Sequence, residues 1–233
     1  TNTSALRRMI ISEFDLQEFA DHILVAPNGV DLERYQNLPS PDEARKVLGL
    51  PQGFTAGYTG HFYAGRGLDL MFSLAQTLPE VQFLWVGGAP PDVALWKNRA
   101  RAQDVNNLTL TGFVDNAKLP QYQAAADILL MPYETKIAGS GGGDSASIAS
   151  PMKMFEYLAA GRPIVSSDLP VIREVLDEST TLFCPPEDFK AWQSALQALQ
   201  SDPIQREKLG QKARDIAGRY TWRTRAETAL KDL

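Results

Sequence analysis

A chain of 233 residues that is 44% hydrophobic and 22% charged, with a net charge of −5, has the composition of a globular protein with a substantial core. Its acidity excludes a broad polyanion-binding surface, so nucleic acid is not an expected partner. With Cys184 as the only cysteine and His22 and His61 as the only histidines, an internal disulfide and a cysteine- or histidine-rich metal site are also excluded.

In chain order, the opening residues lack both the apolar core of a signal peptide and an initiating methionine, which points to a start partway through a longer protein. Residues 8–11 read as a short strand, 13–20 as a helix and 22–25 as a second strand, ending at the turn Pro27-Asn28-Gly29. The proline-rich spacer Leu38-Pro39-Ser40-Pro41 leads into a helix over 42–48. From Phe54 the pattern becomes regular. Short apolar strands at 54–59, 81–86, 108–111, 128–131, 163–166 and 180–183 alternate with helices near 67–78, 95–103, 119–125, 151–160 and 171–176. This is a βα series, and it predicts an α/β fold: a doubly wound, Rossmann-like parallel sheet of about six strands, with right-handed crossovers and helices on both faces. The end is helical over 188–200, 203–219 and 221–233, with Trp192 and Trp222 as packing residues. No apolar run approaches the roughly 20 residues that cross a bilayer, and a lone cysteine fits a reducing compartment, so the expected location is cytoplasmic.

The helix over 151–160 carries the strongest chemical signal. Ser150 can cap it, Pro151 fits its first position, and Gly161 with Pro163 ends it. At about 100° per residue, Met154, Phe155, Leu158 and Ala159 share one side while Lys153, Glu156, Tyr157 and Ala160 share the other. Doubly wound sheets hold ligands at the carboxyl ends of their strands, and a carboxylate there can accept both hydroxyls of a ribose. The plainer alternative for Lys153 and Glu156 is a solvated surface pair contributing tenths of a kcal/mol.

Three further places can hold ligand. The first βα junction, Gly57-Tyr58-Thr59-Gly60 followed by His61 and Arg66-Gly67, combines small residues, a helix amino end and a full positive charge, which suits a diphosphate. It is not a P-loop, because Arg66 stands where a lysine belongs and Gly67 where a hydroxyl residue belongs, nor does it carry the dinucleotide fingerprint. Gly112-Phe113-Val114-Asp115 follows a strand and can border a base, or be a plain turn. The loop from Pro132 to Ala149, with its run Gly139 to Gly143, is long enough for a binding loop or a flexible excursion.

Taken together, Pro27-Asn28-Gly29-Val30-Asp31, Gly57 to Gly60 with Arg66-Gly67, Trp85-Val86-Gly87-Gly88, Gly112-Phe113-Val114 and Ser150 to Gly161 with Pro163 to Asp168 resemble the C-terminal, donor-binding half of a retaining group 1 glycosyltransferase (family 4) of GT-B fold. The segments occur in the family's order. The resemblance implies that Glu156 binds the ribose hydroxyls of a UDP-, GDP- or ADP-sugar and that Arg66 and Lys153 meet the diphosphate. It further implies that Gly112, Phe113 and Val114 border the base, and that Gly60, His61, Ser150 and Met152 complete the donor site, with no metal or other cofactor required. Residues 1–27 then correspond to the end of a missing acceptor-binding domain, 28–220 to the donor domain, and 221–233 to a helix crossing back toward the missing half. Any membrane contact, peripheral and on the inner face, would come through that half. This chain alone would bind donor and transfer little.

Two departures qualify the resemblance. Ile148 occupies the place of the family's first acidic residue, for which Glu134, Asp144 or backbone N–H groups near Ala149 and Met152 can substitute. His61 stands where a second basic residue is usual. The rival readings are a sugar-nucleotide epimerase or hydrolase on the same fold, and a noncatalytic nucleotide-binding or scaffold module.

Overall fold

The computed structural model describes residues 1–136 and 147–230. Six strands, β1 (Thr55–Gly60), β2 (Gln82–Gly87), β3 (Leu108–Gly112), β4 (Ile128–Met131), β5 (Ile164–Ser167) and β6 (Thr181–Cys184), form one sheet in the order β3-β2-β1-β4-β5-β6, every pair parallel. The predicted strands coincide with these to within one residue at each end. Short runs buried on both faces carry their own boundaries, because the turns that end them are polar or glycine-rich.

Alternate residues of each strand enter different cores, as the period of two demands. On one face Tyr58, Phe83, Trp85, Ile128 and Leu130 pack against α3 (Leu68–Thr77), α4 (Pro90–Ala102) and α7 (Phe189–Ser201). On the other, Leu84 and Val86 meet α2 (Pro41–Leu48) and α5 (Leu119–Ala124), while Leu129, Met131 and Ile164 meet α6 (Met152–Ala160) and α8 (Pro203–Ala217). Helices change face because crossovers keep one hand while the winding reverses direction between β1 and β4. That reversal fixes where a ligand crevice opens.

Five expectations are corrected. Residues 8–11 are not a strand but part of α1 (Ser4–Glu13), whose first turn is capped by the Thr3 side chain accepting from Leu6 N–H at 3.0 Å. Four apolar residues are too few to separate the two periods. The helix expected over 13–20 is a turn at Asp15, with φ of 53°, followed by a 3-10 helix at Gln17–His22, and 22–25 is not a strand. Residues 171–176 form successive hydrogen-bonded turns rather than a helix. α4 begins five residues earlier than 95, because Pro90 and Pro91 occupy its first turn, where a missing N–H costs nothing.

The N-terminal segment lies on the domain described above. Ser4 and Ala5 N–H groups donate to the Glu174 carboxylate at 2.7 and 3.0 Å, and Thr3 Oγ1 donates to the Ile148 carbonyl at 3.2 Å. At the other end α9 (Trp222–Leu230) is held to residues 26–30: Val30 bridges Thr221, and Arg225 donates to the Ala26 carbonyl and to Asn28. Among the described residues no helix is long and apolar enough to cross a membrane.

Candidate functional site: a cationic crevice at the sheet's switch point

β1 ends at Gly60 and β4 at Met131, so the loops that leave them, 61–67 and 132–136, and the amino end of α6 border one crevice. The amino end of α6 is not closed by Ser150. Pro151 is the N-cap residue, no side chain caps the helix, and Ser150 Oγ is buried without a partner while its carbonyl accepts from Asn28 Nδ2 at 3.0 Å. The expected cap is therefore corrected, and the first-turn N–H groups of α6 lack a capping side chain at the crevice edge.

Lys153 and Glu156 do not form a solvated surface pair. Lys153 Nζ is shut off from solvent and has no hydrogen-bond partner among the described residues. It sits 3.8 Å from the centre of the Tyr58 ring and 5.5 Å from that of Tyr133. The Arg66 guanidinium lies over the same Tyr133 ring at 5.0 Å. Burial, reinforced by Arg66, pushes the Lys153 ammonium well below its ordinary range, with Glu156 pulling the other way. The Tyr133 hydroxyl is pushed up to about 12 by burial, against the pull of Arg66. Two cations thus share an aromatic wall, and neither forms an ion pair with a described carboxylate. That arrangement favours an incoming anion.

Glycine makes this approach possible. A Cβ on Gly60, whose φ is 142°, would stand 2.8 Å from Lys153 Nζ. At Gly67, φ is 67° and a Cβ would fall 2.0 Å from the Pro132 carbonyl oxygen, so the loop after β4 can pass the start of α3 only over a bare backbone. Gly67→Ala is expected to destabilise the chain by about 2–4 kcal/mol, combining strain and a backbone clash, as measured by urea denaturation.

Glu156 is half-buried, and burial raises its carboxyl above the ordinary range; the hydrogen bond from Gln123, with Arg34 and Lys153, opposes that rise. Gln123 is fully buried and donates through Nε2 to Glu156 Oε2 at 3.3 Å and to Thr59 Oγ1 at 3.4 Å. Tyr157, on the next position of α6, accepts from Thr59 N–H at 2.9 Å and so fixes α6 to β1. Arg34, from the 3-10 turn Leu32–Tyr35, donates to the Asn116 side chain at 2.6 Å, beyond the turn after β3, and acts on Glu156 only through its charge, without an ion pair among the described residues. In that turn Gly112 has a φ of 75°, Phe113 is 85% exposed, and Val114 packs toward α5. Phe113 alone of that pair stands free to meet a planar ligand.

Not every sequence candidate joins the centre. His61 is exposed and stacks on Tyr63 at 4.8 Å, while its carbonyl accepts from the Tyr58 hydroxyl at 2.7 Å. Met152 is 40% exposed at the crevice edge. Glu134 is engaged elsewhere: its Oε1 accepts from the Gly67 N–H at 3.2 Å, placing a carboxylate on the start of α3. The N–H groups of the first turn of α3 beyond Gly67 have no side-chain cap. Asp144 and the run Gly139 to Gly143 lie outside the described residues. Sequence reasoning missed Tyr58, Tyr133, Arg34 and Gln123. Each acts on a partner far away in sequence, and nothing local sets Gln123 apart from its neighbour Gln121.

Residues 53–202 match the family model of the group 1 glycosyl transferases. The chain is 31% identical over 147 residues, 61% of its length and 34% of the relative's, to a putative teichuronic acid biosynthesis glycosyltransferase, TuaH, of Bacillus subtilis. It is 24% identical over 86% of its length to the alpha-galactosylglucosyldiacylglycerol synthase of Streptococcus pneumoniae, spanning 52% of that protein. The chain therefore spans between about a third and a half of these curated relatives. Among solved structures, Anabaena Alr3699/HepE in complex with UDP matches 99% of the chain and 61% of its own length, with a TM-score of 0.80 at 18% identity. The C-terminal domain of a group 1 family glycosyl transferase (LpcC) from Francisella tularensis matches 83% of the chain and all of its own length, with a TM-score of 0.68 at 17% identity. The fold is thus that of GT-B glycosyltransferases, and by the match over 53–202 the chain belongs to the group 1 glycosyl transferases.

Proposed function

We propose that this chain is the donor-binding part of a sugar transferase, taking a nucleoside-diphosphate sugar into the crevice between β1 and β4. The observation that carries the reading is Lys153: an ammonium held out of water with no described partner, beside Arg66 and one helical turn from a carboxylate. In this reading the diphosphate binds between Arg66, Lys153 and the first-turn N–H groups of α6, around Ser150 and Met152, with Gly60 leaving room and His61 at the rim. Glu156 accepts the ribose hydroxyls, and the base lies against Gly112, Phe113 and Val114. As the sugar departs, negative charge grows on the diphosphate, and the two preplaced cations lower that barrier. Transfer retains the anomeric configuration and needs neither a metal nor another cofactor; the acceptor and the residues that bind it belong to a domain outside this chain, through which any membrane contact is made in a cytoplasmic protein.

UDP ranks first among the candidate nucleotides, because Anabaena Alr3699/HepE, which shares this fold, was solved with UDP and with UDP-glucose. Titration calorimetry with UDP, GDP and ADP tests the reading. One nucleotide is expected to bind with micromolar affinity, unchanged by EDTA; absence of binding by all three would overturn it. A noncatalytic nucleotide-binding module is the second reading, favoured by Ile148 at the acidic position, where the only polar contact among the described residues is its carbonyl with Thr3. Product analysis with a two-domain protein carrying this chain separates them.

A further inference from the structure

We infer that Gln123 is a positioning residue for nucleotide recognition, holding the Glu156 carboxylate in the orientation that accepts ribose hydroxyls. This rests on the donor-site reading above and adds a residue that makes no contact with substrate. Gln123 lies on α5, fully buried, and its Nε2 spans the gap between Thr59 Oγ1 on β1 at 3.4 Å and Glu156 Oε2 on α6 at 3.3 Å. The amide orientation is fixed by chemistry. Turning the amide over would set its oxygen against a carboxylate and remove the donor that Oε2 uses. Gln123 Oε1 and the buried Tyr35 hydroxyl both lack a hydrogen bond of good geometry among the described residues, so the amide keeps its place through the two Nε2 contacts, with Tyr35 close enough to feel both Gln123 and Glu156.

This bridge has a directional consequence. A glutamate carboxylate turns freely about its last bond, and a ribose offers its two hydroxyls at a fixed spacing. Pinning Oε2 from behind leaves the second lone pair of Oε2 and the whole of Oε1 for the ligand. Arg34 and Lys153 also attract the carboxylate, but neither forms an ion pair with it. Gln123, a neutral donor, makes the one side-chain hydrogen bond to this carboxylate among the described residues and so sets its angle. A residue of this kind raises affinity only for ligands that possess the hydroxyls, which separates positioning from general support of the fold.

The test pairs UDP, GDP and ADP with their 2′-deoxy counterparts, titrated against the wild-type chain, Gln123→Met, Thr59→Val and Glu156→Gln. Methionine keeps the length and volume of the glutamine and removes the donor. In the wild type the ribonucleotide is expected to bind about tenfold tighter than its 2′-deoxy form, the size of one hydrogen bond to a charged group. Gln123→Met is expected to reduce that ratio to about twofold or less while the 2′-deoxy ligand keeps its affinity, and Thr59→Val, which releases the other end of the bridge, to reduce it partway. The effect of Gln123→Met should vanish in the Glu156→Gln background, since a positioning residue acts only through its partner. A folded Gln123→Met protein that keeps the wild-type ratio overturns the inference and leaves the donor site standing. If that variant does not fold, an unchanged ratio in Thr59→Val overturns it. A wild type that binds no nucleotide overturns the donor-site reading and this inference together.

Discussion

Replacing Lys153 by methionine is expected to weaken nucleoside-diphosphate binding by about ten- to a hundredfold while making the unliganded protein more stable, by roughly 1–2 kcal/mol. The opposed signs come from one fact. The ammonium is out of solvent with no hydrogen-bond acceptor among the described residues, relieved only by the faces of Tyr58 and Tyr133, and Arg66 stands nearby. A phosphate oxygen supplies the missing acceptor, so the charge that costs stability in the empty protein becomes a charge-assisted contact in the complex.

The buried ammonium also makes stability depend on pH. Because the native ammonium titrates below its counterpart in the unfolded chain, the unfolded state binds the extra proton, and stability rises with pH through the interval between the two values. The rise ends near the unfolded value, about 10.4. Denaturation curves of wild type and Lys153→Met across that interval should converge as pH increases. Curves that stay parallel would show that Lys153 is not buried as a destabilising charge.

Glu156→Gln is expected to lower ribonucleotide affinity about tenfold and to leave 2′-deoxy ligands almost unaffected, because the amide keeps one acceptor and turns the other into a donor. Calorimetry on the two ligand classes reads this directly. An equal loss for both would mean that Glu156 supports the site's shape or charge and does not contact the ribose.

The fold was legible because β2 and β4 are short apolar runs ended by glycine or proline, and β1 and β5 are short buried runs of small and β-branched residues spaced regularly with them. Strands of this kind state both their type and their limits. The misread elements are those whose local signal was ambiguous. Residues 8–11 have too few apolar positions to show a period, and the helix expected from 95 in fact opens at Pro90-Pro91. Residues 171–176 are periodic, yet close as single turns.

In the site, Lys153 and Glu156 were recoverable because they lie three apart on one helix, and Arg66 because it stands at a strand-to-helix junction rich in glycine. What the sequence could not show is that the polar side of α6 is covered. Tyr157, grouped with Lys153 and Glu156 by helical spacing, is fully buried and tied to Thr59, and that contact draws the pair beneath β1. Gln123 reaches Glu156 across 33 residues of sequence and Tyr133 meets Arg66 across the switch point; contacts of that separation have no local signature.

The central claim is that Arg66, Lys153 and Glu156 act on one ligand. A crystal structure of the chain with UDP or a UDP-sugar tests it most directly. The account predicts diphosphate oxygens within hydrogen-bond distance of Lys153 Nζ and of the Arg66 guanidinium, and both ribose hydroxyls on the Glu156 carboxylate. A nucleotide bound with its diphosphate away from Lys153, or its ribose away from Glu156, would contradict it.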